Sequence, residues 1–198
     1  MKNKFSKIAL CSVLVASITS TTVLAESMAA QIKKRATETA ELKALLNDPD
    51  QSMRLAALDT MLKSEDTAMR ALAYNVGLNS ADDSIRSITL RNKFNEISTL
   101  ALNVTLPENA DKKSIEYFKS YAGGGIYLIT IEKYDEKKGN FTFLDQSNTS
   151  GKKGSVSGLT LSFRGYYCSG SLILNEESEY QGNLNCKGNS YPVTAVVI

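Results

Sequence analysis

The chain has 198 residues, 23 Lys and Arg against 21 Asp and Glu, a formal net charge of +2, and no histidine. Its 42 % hydrophobic and 22 % charged content is that of a folded globular protein and argues against disorder. Without imidazole, the side chain that titrates near neutrality, Ser–His and Cys–His catalysis and most general acid–base mechanisms are excluded.

The N-terminus has the three parts of a secretory signal. Lys2, Lys4 and Lys7 make a positive start, Ile8 to Ile18 is apolar, and Thr19 to Ala25 is small and hydroxylated. Val23 and Ala25 place small residues three and one positions before a cut ahead of Glu26. The apolar run of 11 residues is too short for a bilayer, which needs about 20. Residues 1–25 therefore read as a cleaved signal peptide, and the mature chain as periplasmic or secreted with no membrane span. Removing three lysines and no acid leaves 20 basic against 21 acidic residues. A near-neutral mature chain has no electrostatic footprint for nucleic acid.

Of three cysteines, Cys11 leaves with the signal, and Cys168 and Cys186 remain as a pair in an oxidising compartment. A disulfide is the expectation. A catalytic metal would have only carboxylates left to bind it, so neither metal nor cofactor is expected.

From Asp48 to Asn95 the sequence divides into three windows of sixteen that superpose without a gap. Asp50, Asp66 and Asp82 share one column; Arg54, Arg70 and Arg86 share another. Apolar columns hold Met53, Met69 and Ile85, then Leu58, Tyr74 and Leu90, then Leu62, Leu78 and Phe94. Their spacing marks one face of a helix of about three turns per window, with successive helices antiparallel. Glu26 to Leu46 lacks the Asp and Arg columns and reads as a capping helix. Each Asp stands four residues before its Arg, which suits a helix-stabilising pair. The same Arg column, Arg54, Arg70 and Arg86, could instead grip an acidic protein partner.

Leu45-Leu46-Asn47-Asp48-Pro49-Asp50 followed by Met53-Arg54-Leu55-Ala56-Ala57-Leu58 is similar to HEAT-like repeats, especially the short type of phycobilisome lyases. The resemblance covers about 50 residues and departs from the family in having only three windows. It implies protein binding or scaffolding. No lyase activity is carried over, since no residue matches a catalytic feature.

After residue 95 the period changes to two. Leu100, Leu102, Val104 and Leu106 alternate with polar or small residues as a half-buried strand does. Ile115, Phe118 and Tyr121 suggest a short helix closed by Gly123-Gly124-Gly125. Further strands are predicted over 126–134, 140–145, 159–165, 167–174, 179–186 and 191–197, seven in all. Lys137-Lys138-Gly139 and Lys152-Lys153-Gly154 read as solvated hairpin tips. Folding residues 168–186 as a hairpin sets Cys168 opposite Cys186, Gly170 opposite Leu184, Leu172 opposite Gly182 and Leu174 opposite Tyr180. Seven strands suit a sandwich or a partly open barrel.

The expected fold is thus α+β: a signal at 1–25, antiparallel helical repeats over 26–95, and an antiparallel β-sandwich or partly open barrel over 96–198 with one disulfide. The expected function is that of an exported non-catalytic binding or scaffolding protein that meets an unknown protein partner through its helices. The alternatives are a carboxylate-based, glycosidase-like hydrolase, with Glu116 or Asp145 as candidates, and an inhibitor or immunity-type protein for a secreted enzyme. Tyr134, Tyr166 and Tyr167 are candidates for stacking on a sugar or peptide, although tyrosine is also a common strand residue.

Overall fold

Asp50, Asp66 and Asp82 each turn the chain into a helix. In the computed structural model, which describes residues 20–197 with side chains from residue 27 on, they are the N-caps of α2 (Gln51–Leu62), α3 (Thr67–Leu78) and α4 (Asp83–Lys93). Asp50 accepts from the Ser52 N–H, Asp66 from Ala68 and Met69, and Asp82 from Ser84 and Ile85. Each cap satisfies N–H groups that have no partner inside the helix and stabilises it by about 1 kcal/mol. The buried positions repeat with the same period of sixteen: Ala57, Ala73 and Thr89, then Leu58, Tyr74 and Leu90.

The chain divides into two compact units, up to Glu41 and from Leu42 onward. The first is the greater part of α1 (Ser20–Leu45), whose side chains from 27 to 38 are exposed. The signal peptide read over 1–25 lies outside the described residues as far as 19. Among the described residues no helix is long and apolar enough to cross a membrane.

The second unit holds α2–α4 and eight strands: β1 (Thr99–Val104), β2 (Ile126–Asp135), β3 (Asn140–Leu144), β4 (Lys152–Ser157), β5 (Thr160–Arg164), β6 (Cys168–Leu174), β7 (Glu179–Cys186) and β8 (Asn189–Val196). Each pairs antiparallel with the next, and β1 returns to β8 through Asn103 with Thr194 and Val104 with Val193. The barrel is closed. The expectation of N-terminal helical repeats followed by a sandwich or partly open barrel is therefore overturned. Nor do the helices form a separate leading block, for α5 (Lys112–Ser120) sits between β1 and β2 and α4 helps to fill the barrel.

The eighth strand makes the difference, and it begins at the Lys152-Lys153-Gly154 segment whose sequence predicts a hairpin tip. Lys152–Ser157 lacks an alternating apolar pattern because only Val156 among its inward residues is both apolar and buried. Of the other two positions on that side, Lys152 stands at the strand's start opposite Phe143 and Gly154 beside Phe141. A Cβ there would lie 2.1 Å from the Phe141 ring, so the neighbouring strand supplies the side chain that β4 lacks. Eight strands leave an interior that side chains can fill. Tyr127, Ile129, Phe143, Leu161, Leu172, Tyr180, Leu184 and Tyr191 fill it.

Helices close both ends. Leu78, Leu90 and Phe94 join the barrel core at one end, with Phe94 5.9 Å from Tyr134 and 6.0 Å from Phe141 between ring centroids. At the other end Phe118 of α5 lies 5.7 Å from Tyr191, whose hydroxyl donates to the Ser114 carbonyl at 2.8 Å. Beside that end the Cys168–Cys186 disulfide joins β6 to β7, with Cα atoms 4.2 Å apart. The register runs Cys168 to Cys186, Gly170 to Leu184, Leu172 to Gly182 and Leu174 to Tyr180, as the hairpin arithmetic required.

Candidate functional site

Strand alternation sends every second residue of β2–β7 outward, and these residues line a groove of about 960 Å³ on the barrel wall. Two cross-strand rows flank it. The row nearer the α4 end runs Asp135, Asn140, Ser155, Ser162 and Ser171. The row nearer the disulfide runs Lys133, Thr142, Lys153, Arg164, Ser169 and Asn185. Hydroxyls and amides make up most of the two rows, Tyr134, Phe141 and Phe163 add aromatic surface to the lining, and the charges in the second row all have one sign.

Lys153 stands directly opposite Arg164, and Lys133 is one strand beyond Thr142 on the other side. Like charges directly opposed across a ladder are destabilising. Among the described residues none of the three cations makes an ion pair or a side-chain hydrogen bond. The one carboxylate of the lining, Asp135, faces Lys138 at 3.9 Å instead. Glu132, next to Lys133, is held by the Ser150 hydroxyl and by the Gly151 N–H at 2.9 Å. Those hydrogen bonds keep its carboxyl below the ordinary range and pin the loop that leads into β4.

Tyr166 lies two residues past Arg164 and is 60 % exposed. The Lys152 ammonium is 5.1 Å from its ring centroid, and the Tyr167 ring meets it nearly perpendicular at 4.6 Å. Tyr167 in turn packs on Tyr121 at 4.6 Å and lies under Lys187 at 4.7 Å. Tyr134 is half-buried and lines the groove, with its ring fixed from the α4 side. Its hydroxyl donates to the Arg91 carbonyl, and burial pushes its pKa up to about 12.

The three arginines of the repeat face inward to the fold. The Arg54 guanidinium donates to the Asp48 and Pro49 carbonyls at 2.8 and 3.1 Å and pairs with Asp82 at 3.2 Å. Arg70 donates to the Ser64 carbonyl at 2.6 Å and meets Glu96 at 3.5 Å. Arg86 is buried, with a side chain only 7 % exposed, and donates to carbonyls of Leu78, Leu174 and Asn175. Each reaches back to carbonyl oxygens left open at a helix end or loop. Arg86 joins the helices to the β6–β7 turn.

Asp145 and Glu116 form no acid–base pair in the groove, and neither lines it. Glu116 is exposed on α5. Asp145 is buried and organises the turn after β3, accepting from the Ser147 hydroxyl at 2.5 Å and from the N–H groups of Ser147, Thr149 and Tyr166 at 3.0, 3.4 and 2.6 Å. Burial would raise its pKa, but these donors outweigh burial and lower it. A general acid needs the opposite shift. No cluster of three metal-ligating side chains occurs among the described residues.

The sequence reading missed Lys133, Lys153 and Arg164 as a group. They stand on three different strands, and the doublet Lys152-Lys153 was the one local sign of them.

Fold and site together define a closed up-and-down barrel carrying a basic, hydroxyl-lined groove on its outer wall. Compared with known protein families, curated proteins and solved structures, the chain matches none.

Proposed function

We propose that this chain is an exported, non-catalytic binding protein whose barrel wall takes an extended anionic ligand. One observation carries the reading: Lys133, Lys153 and Arg164 stand in a single cross-strand row with no carboxylate at ion-pairing distance among the described residues, Glu132 acting on Lys133 only at longer range while Ser150 and Gly151 hold it. Their mutual repulsion is relieved when an anion enters the groove, so the ligand gains what the empty protein lacks. The lining hydroxyls and amides can exchange hydrogen bonds with a polar chain. Export is supported by the tripartite N-terminus and the Cys168–Cys186 disulfide. On this reading the HEAT-like helices are the mount of the barrel, because their arginines tie loops and strands together.

Titration calorimetry with dextran sulfate and neutral dextran tests the proposal. Dextran sulfate should bind, more weakly as salt rises, and the Lys153→Gln/Arg164→Gln double variant should weaken it roughly tenfold or more. Equal binding of the neutral polymer, or an unchanged affinity in the double variant, refutes it.

A further inference from the structure

We infer that the ligand of the groove is an acidic glycan, seated with one sugar ring against Tyr166; this rests on the anion-binding reading above. Two features point to it, an exposed ring just past Arg164, outside the groove's own lining, and the basic row itself. The first is the setting of the tyrosine. Its N–H is fixed by Asp145 at 2.6 Å, Tyr167 braces its ring, and Lys152 lies over it, yet the residue stays 60 % exposed. A large apolar ring held in place but left open is a contact surface whose ordering cost is already met. It is also within reach of the charges. Tyr166 follows Arg164 by two residues, so their Cα atoms are no more than about 7 Å apart.

The second feature is the spacing of the cations. Lys153 and Arg164 are one strand apart and Lys133 and Lys153 two strands apart, about 4.8 Å and about 9.6 Å at the usual strand separation. Those steps suit acid groups borne by successive and alternate sugar residues of an extended chain. The row offers Thr142 between Lys133 and Lys153, and Ser169 and Asn185 beyond Arg164, which can meet sugar hydroxyls as donors and acceptors. Single-stranded nucleic acid is the rival polyanion. Proteins that bind it combine a continuous basic track with several stacking rings, whereas here Tyr166 is the one exposed ring among the described residues and the chain without residues 1–25 has 20 basic against 21 acidic residues.

The test uses the full disulfide-bonded chain and four probes: tetragalacturonate, a sulfated heparin-type tetrasaccharide, neutral cellotetraose and oligo(dT). At least one acidic tetrasaccharide should bind and the neutral one should not. Tyr166→Ala should weaken that binding about fivefold while Tyr166→Phe keeps it. A thermal melt confirms that both variants fold, as an exposed side chain allows. If Lys153→Gln/Arg164→Gln weakens the acidic tetrasaccharides but Tyr166→Ala does not, the glycan inference is overturned and the anion reading stands. Failure of both acidic tetrasaccharides to bind, or tighter binding of oligo(dT), also overturns it.

Discussion

Arg86→Ala should be among the most damaging single changes on the helical side of this protein. The guanidinium is buried where α4 meets the barrel, with Nε donating to the Leu78 carbonyl at 3.2 Å and Nη2 to the Asn175 carbonyl. The Leu174 contact, at 3.5 Å, is weaker, and Asp83 opposite is 77 % exposed, so that ion pair contributes little. Two charge-assisted bonds at about 1.5–3 kcal/mol each amount to about 3–6 kcal/mol, and the lower part of that range, about 3–5 kcal/mol, applies because Ser178 still donates to both carbonyls, its hydroxyl to Leu78 and its N–H to Asn175. For a domain of this size that lowers the melting point by roughly 6–20 °C. Urea unfolding followed by circular dichroism measures it. Arg86→Lys should fall between, because a point-like ammonium cannot serve two carbonyls as a planar fork does. Arg54→Ala and Arg70→Ala should each lose less, since those side chains are 22 % and 29 % exposed. Ser178 also donates to the Leu78 carbonyl, at 3.1 Å, so Arg86→Ala and Ser178→Ala should be non-additive. A loss under about 1 kcal/mol for Arg86→Ala, or one no larger than that of Arg54→Ala, refutes the assignment.

Four other outcomes follow from the same structure. Reducing the Cys168–Cys186 bond, or Cys168→Ser, should remove about 3 kcal/mol on the loop-entropy account for a separation of 18 residues, read as a lower urea midpoint. Gly154→Ala should destabilise by about 1–3 kcal/mol, because the new Cβ meets the Phe141 ring; an unchanged midpoint would show that the ring moves freely. Tyr180→Phe should be neutral or slightly stabilising, since the Tyr180 hydroxyl is buried without a hydrogen-bond partner among the described residues; a loss above about 1 kcal/mol would reveal one. Asp145 has its pKa lowered in the folded state, so its stabilisation is present above about pH 4 and lost as pH falls through the folded value. The melting-point gap between wild type and Asp145→Asn should therefore be wide at pH 7 and shrink progressively as pH falls below about 4.

Local pattern determined a good deal of this molecule. The Asp column lies at the helix starts because capping is decided within three residues, and the buried columns follow from helical periodicity alone. The Cys168–Cys186 register was legible because a single hairpin obeys simple counting. What local pattern could not decide was anything that depends on a distant neighbour. β4 was invisible because its missing inward side chain belongs to Phe141, and without that eighth strand the sheet could not be seen to close. The arginine column looked alike in all three windows, yet Arg86 is buried only because the β6–β7 turn, about ninety residues later, lies against it. The groove is a still clearer case. Lys133, Lys153 and Arg164 become neighbours through cross-strand registers that pair residues far apart in the chain, and only the closed sheet sets those registers.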